Sequence, residues 1–218
     1  MTPLMPQILF FMEVLVFTSA VFMHLTKRNR SLIILYIFQS ALVTFSLFTF
    51  SFQEPSLLLI LATLLTFSVK AVIAPVFFFR LITRYGLKFS ASAYLSTPLT
   101  LIALAAITVL TRSYLFFPLA TLAPSNENIL LLSIATILIS LFLIINRKGV
   151  LSQVVGILSL ENGIVSFASF AHLEQSPGLQ LGITFDILMW IAIAGIFTSM
   201  IYRHFGSFDV SSMQRLKE

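Results

Sequence analysis

The chain has 218 residues, 58% of them hydrophobic and only 10% charged, and its mean hydropathy is +1.02. A water-soluble domain of this size cannot bury so much apolar surface, so the solvent for which the sequence is written is lipid. The formal charge of +5 does not point to nucleic acid, because the basic residues fall in short loops between apolar runs and not on one exposed face. Cysteine is absent, so this chain alone cannot hold an iron–sulfur cluster or a thiolate-ligated nickel or haem, and no cofactor is expected.

In chain order the apolar segments cover 4–25, 31–52, 56–80, 88–111, 129–145, 150–173 and 178–203, each near the roughly 20 residues that a spanning helix needs. This spacing predicts an all-α integral membrane protein of about seven transmembrane helices, a single membrane domain over 1–218. The first segment has no basic lead, carries Glu13 at its middle and is followed by Lys27-Arg28-Asn29-Arg30, so it reads as a retained helix and not as a cleaved signal. Lys27, Arg28 and Arg30 follow helix 1, Arg80, Arg84 and Lys88 follow helix 3, Arg147 and Lys148 follow helix 5, and Arg203, Arg215 and Lys217 follow helix 7. The loops of the other side hold Arg112 with Glu54, Glu127 and Glu174. By the positive-inside rule the N-terminus is expected outside and the C-terminus in the cytoplasm. In the longest loop, 112–128, Tyr114-Leu115-Phe116-Phe117 either lies flat at the membrane interface or extends the preceding helix. Gly178-Leu179-Gln180-Leu181-Gly182 opens helix 7 with two small residues four apart, a spacing that permits close approach of a neighbouring helix.

Four residues within the apolar segments can carry charge: Glu13, Lys70, Glu161 and Asp186. Ionising a carboxyl group in hydrocarbon costs several kcal/mol, so each such residue stays protonated, finds a partner or lines a wet path. Counted from the cytoplasmic helix ends, Glu13, Lys70 and Glu161 come out near mid-depth and Asp186 lies further towards the outer side. On helix 6, Ser152, Gly156, Ser159, Gly163 and Ser166 form a small-residue seam. Glu161 lies opposite that seam, on a stripe with Val165, Ala168 and His172; both faces are therefore expected against protein or protein-held water. His172 either passes protons to Glu161 or is an interfacial side chain. On helix 3, Thr63, Thr66, Lys70 and Ala74 share one polar face. Pro75 frees the carbonyl of Ala71 and is expected to kink the helix beside Lys70. By depth alone, Glu13 is one partner for Lys70.

Leu160-Glu161-Asn162-Gly163 on the penultimate helix, Lys70 with Pro75 on helix 3, Asp186 in the last helix and the C-terminal Gly206-Ser207-Phe208-Asp209-Val210 resemble the E component of hydrogenase 4. Its relatives are membrane subunits of the group 4 nickel–iron hydrogenases and formate hydrogenlyases. The last three helices are also similar to the K-type subunit of complex I and the C-type subunit of multisubunit cation/proton antiporters. In the K-type subunit two intramembrane glutamates carry protons; Glu161 matches the first, and Asp186 lies near the second but is shorter. The resemblance implies a multi-pass subunit of a prokaryotic cell membrane without a redox centre of its own, and so not itself catalytic. Its partners would be an antiporter-like subunit and a redox-proximal membrane subunit, and protons or cations would move along the level of Lys70, Glu161 and Asp186. The rival expectations are a purely structural connector of the same complex and a stand-alone secondary transporter.

Overall fold

The structure, a computed structural model, describes residues 5–51, 57–86, 93–171 and 177–205. Among these residues every regular element is helical, and an isolated antiparallel bridge joins Ala93 and Arg147. The long helices are α1 (Met5–Leu25), α2 (Asn29–Ser51), α3 (Leu57–Tyr85), α4 (Thr97–Thr111), α5 (Glu127–Asn146), α6 (Val150–Phe170) and α7 (Pro177–Phe205). Among the described residues five helices are long and apolar enough to cross a membrane: α1, α2, α3, α5 together with the short turn before it, and α6. The protein is therefore a multi-pass membrane protein by the length and composition of its helices. α4 is apolar but has only 15 residues, a rise of ~22 Å against the ~30 Å of a hydrocarbon core.

Two helix boundaries differ from the sequence expectation for local chemical reasons. Helix 4, expected from 88, begins at Thr97, with Pro98 in its first turn where a missing N–H costs nothing. Ahead of it, Tyr94 and Leu95 donate their amides to the backbone and side-chain oxygens of Asn146, at 2.9 and 3.0 Å. Helix 3, expected to end at 80, runs on to Tyr85 and stops where Gly86 takes the left-handed conformation at φ 67°. The loop after α4 does not extend that helix. It turns at Arg112, makes one four-residue helical turn at Phe117–Ala120 and a 3-10 turn at Pro124–Asn126, and leaves Tyr114, Leu115 and Phe117 exposed.

Contacts between helices define two common ends. At one end lie the basic loops. The Arg147 guanidinium donates to the carbonyls of Met23, His24 and Thr26, at 3.0, 2.7 and 2.8 Å. These are carbonyls that the end of α1 leaves without helical donors. Arg147, expected only as a loop charge, is thus buried and ties α5 to α1. At the other end Asn126 donates to the carbonyl of Phe170 at 3.3 Å.

The expected seam of α6 is the contact with α5. Ser159 and Ser140 hydroxyls meet at 2.8 Å, while Gly156 and Gly163 let the backbones close on each other. A Cβ on Gly163 would stand 3.1 Å from the backbone nitrogen of Ile137, and one on Gly156 would stand 2.8 Å from the Ile144 side chain. Backbone cannot move aside as a side chain can. Gly163→Ala is therefore expected to destabilise the detergent-solubilised protein by about 1–3 kcal/mol, read as a lower unfolding midpoint. Gly182→Ala, with nothing within 4 Å of its would-be Cβ, should leave that midpoint unchanged.

Within α3 the residues Ser68–Ile73 form a π-helical turn, and the amide of Ala74 bonds to the carbonyl of Val69. Pro75 offers no N–H to Ala71, and the wider turn just ahead of it accommodates that missing bond. Lys70 lies inside this wide turn.

Candidate functional site

Lys70 is among the most deeply buried side chains of the chain, 1% exposed. Its ammonium donates to Asn162 Oδ1 at 3.0 Å and lies 3.8 Å from Glu161 Oε1. The second distance is that of an ion pair and is too long for a hydrogen bond. Both carboxylate oxygens of Glu161 are buried and accept no hydrogen bond among the described residues. Asn162 links the lysine to α2: its Nδ2 donates to Ser40 Oγ at 2.9 Å and to Gln39 Oε1 at 3.2 Å. Gln39 Nε2 in turn donates to the carbonyl of Val16 on α1 at 3.3 Å. Consecutive residues on a helix point about 100° apart, so Glu161 and Asn162 flank one ammonium, the first supplying charge and the second an oriented acceptor.

This arrangement is chemically lopsided. Asn162 is satisfied on both sides, whereas the one group that can change its charge by taking a proton has none of the hydrogen bonds that normally fix a buried carboxylate. A group so placed can alter its protonation without breaking a network.

The other sequence candidates separate from this centre. Glu13 is buried, but it does not meet Lys70. Ser133 of α5 donates to its Oε1 at 3.0 Å, and Ser166 of α6 donates to its Oε2. The reason is register: Ser166 is five residues further along α6 than Glu161, so Glu13 sits more than a turn nearer the Asn126 end than the lysine does. Depth counted from helix ends does not resolve such an offset. Asp186 belongs to α7 and is exposed on a face with Gly182, Phe185 and Met189. His172 and the 206–210 segment lie outside the described residues. His24, on the same stripe of α1 as Glu13, donates from Nε2 to the carbonyl of Ile139 at 3.0 Å and stacks on Phe142, a packing role.

The polar face expected on α3 is present, and α7 answers it. Thr63 donates to Gln180 Oε1 at 3.3 Å, and the hydroxyls of Thr66 and Thr184 meet at 2.7 Å. Asn162, Gln39 and Ser40 were not assigned a role from the sequence. The signal that could have found the last two is the polar pair Gln39-Ser40 interrupting the apolar run of helix 2. Among the described residues no group of three or more His, Cys, Asp and Glu is arranged to hold a metal ion.

No family model matches the chain, and no solved structure matches it. The chain is similar to the uncharacterised protein Rv0085 of Mycobacterium tuberculosis, with 29% identity over 102 residues. The match covers 46% of this chain and 46% of that protein, so it spans less than half the length of the relative.

Proposed function

We propose that the protein is a membrane subunit of a multisubunit redox complex of the group 4 hydrogenase and complex I type. In this reading it contributes to proton or cation translocation through Glu161, with Lys70 as its counter-charge. The observation that carries the reading is a glutamate whose two oxygens are buried beside a buried lysine and accept no hydrogen bond among the described residues. Intramembrane ionisable residues are expensive and mark ion or proton pathways. A change of charge or hydration next to Glu161, driven by electron transfer in another chain, would shift its proton occupancy and move a proton on. The sequence resemblance to the hydrogenase 4 E component supports the same assignment. So do the basic loops, which favour seven spans with the N-terminus outside and the C-terminus cytoplasmic in a prokaryotic cell membrane.

The need for partners is supported by α7. A carboxylate within a spanning helix that faces lipid costs up to about 3 kcal/mol, most at mid-depth, yet Asp186 stands on an exposed face of α7. Gly182 and Gly178, one and two turns away, have open space where a Cβ would be. A helix of a neighbouring subunit packed there would take the carboxylate out of lipid and bring its own polar group to it.

Purification of the tagged chain from its native membrane in mild detergent tests the assignment. The expected result is co-purification with antiporter-like membrane chains and a hydrogenase-like large subunit. Recovery of the chain alone, or as a homo-oligomer that transports a solute by itself, would overturn it in favour of a secondary transporter.

A further inference from the structure

The two halves of the bundle above and below the Lys70–Glu161 pair are chemically different. Towards the basic loops the space between α2, α3, α6 and α7 is filled by one continuous apolar cluster, including Leu32, Ile33, Phe78, Val155, Ile187 and Ile191, each 6% exposed or less. Along α3 this cluster runs from Ala74 to Ile82, eight residues or ~12 Å of rise. The polar side chain among its buried members is Tyr36, one turn from Ser40 towards the start of α2; past it, towards the basic loops, the buried members of the cluster carry no side-chain donor or acceptor to pass a proton on.

Towards the opposite end the contact between α3 and α7 is polar. Thr63, Thr66, Gln180 and Thr184 are 1–3% exposed and meet side chain to side chain. Each hydroxyl has a second contact with the carbonyl one turn back, those of Leu59, Ala62 and Gln180 for Thr63, Thr66 and Thr184. Since a hydroxyl has one proton and two acceptor positions, Thr66 and Thr184 can exchange the roles of donor and acceptor. Gln180 lies three residues, ~5 Å, from the start of α7, and Thr66 is one turn, ~6 Å, from Lys70. A gap of that size is one that a water molecule or two can bridge.

We propose that the Lys70–Glu161 site exchanges protons with one end of the bundle only, the end that carries Gln180, through the α3–α7 polar seam, and that the apolar cluster seals it from the basic-loop end. The inference rests on the proton-handling role of Glu161 and adds its sidedness. A proton bound by Glu161 then returns towards Gln180 or passes sideways to a neighbouring chain past Asp186, because the way through this chain is closed. The subunit acts as a one-sided port, and net transport across the membrane is completed by its partners.

The lack of native cysteines makes the test direct. Single cysteines replace Thr66, Thr184, Phe78 and Ile191 in the assembled complex, in sealed right-side-out and inverted native vesicles. A small, membrane-impermeant cationic methanethiosulfonate is applied, and modification is read as the mass increase of this chain. Thr66→Cys and Thr184→Cys are expected to react at least tenfold faster from the Gln180 end than from the basic-loop end, whereas Phe78→Cys and Ile191→Cys react from neither. Modification of Phe78→Cys or Ile191→Cys from the basic-loop end would overturn the seal. Threonine positions unreactive from both ends would reduce the seam to dry helix-to-helix contact, and the port would be abandoned. If a cysteine at 66 prevents assembly, one at Thr63 reports on the same seam. Failure of the port leaves the loss of translocation in Glu161→Gln untouched, whereas failure of the proton-handling role appears as retained translocation with the labelling pattern intact.

Discussion

Glu161→Gln is expected to reduce turnover-linked ion translocation in energised vesicles by at least tenfold while the complex still assembles. The amide keeps the size and shape of the side chain and loses only the ability to bind and release a proton. Because neither oxygen of Glu161 accepts a hydrogen bond among the described residues, the substitution breaks no hydrogen bond, but it removes the counter-charge of Lys70, so the subunit composition of the variant is the control that separates lost conduction from lost assembly. Glu161→Asp should retain part of the activity, since it keeps the titratable group one methylene further from Lys70. Undiminished ion gradients in Glu161→Gln, with normal subunit composition, would sink the conduction role. The structural connector, which needs the α6 seam and not the carboxylate, would then be the surviving account.

The largest effect on stability is expected at Lys70. Lys70→Met removes the ammonium that lies 3.8 Å from Glu161 and also the donor that Asn162 accepts from. Breaking a buried pair from one side leaves an uncompensated charge and costs about 3–5 kcal/mol. The variant should therefore accumulate poorly and unfold at lower denaturant than the parent. Lys70→Met combined with Glu161→Gln removes both charges, and most of that loss should be recovered. A double-mutant cycle on unfolding in detergent is expected to give a coupling of about 2–3 kcal/mol. If the two substitutions simply add, the pair does not interact and Lys70 holds Asn162 alone.

The membrane class, the helical architecture and the approximate positions of the long helices were legible in the sequence because hydrocarbon imposes a length and a composition on any segment that crosses it. The seam of α6 was legible for a similar reason: small residues at helical spacing permit close approach, and α5 takes it at Gly156 and Gly163. Helix ends were less so. Pro98 and Gly86 set them by local backbone chemistry within runs that are apolar on both sides of the boundary.

What partners each buried polar group was settled only by the packing of the helices. Counting residues places a side chain at a depth, with an uncertainty of about a turn, and says nothing of which helix lies opposite it. Glu13 and Lys70, equal by that count, belong to different clusters because α1 meets α5 and α6 through Ser133 and Ser166 while α3 meets α6 through Asn162. Arg147 counts in the sequence as one more loop charge and in the fold closes the end of α1. Gln39 and Ser40 acquire meaning only when Asn162 arrives between them and the lysine. The sequence by itself determined which residues are too polar for lipid; the tertiary structure decided which of them meet, because a buried charge is stabilised by the geometry of its neighbours and not by its own position along the chain.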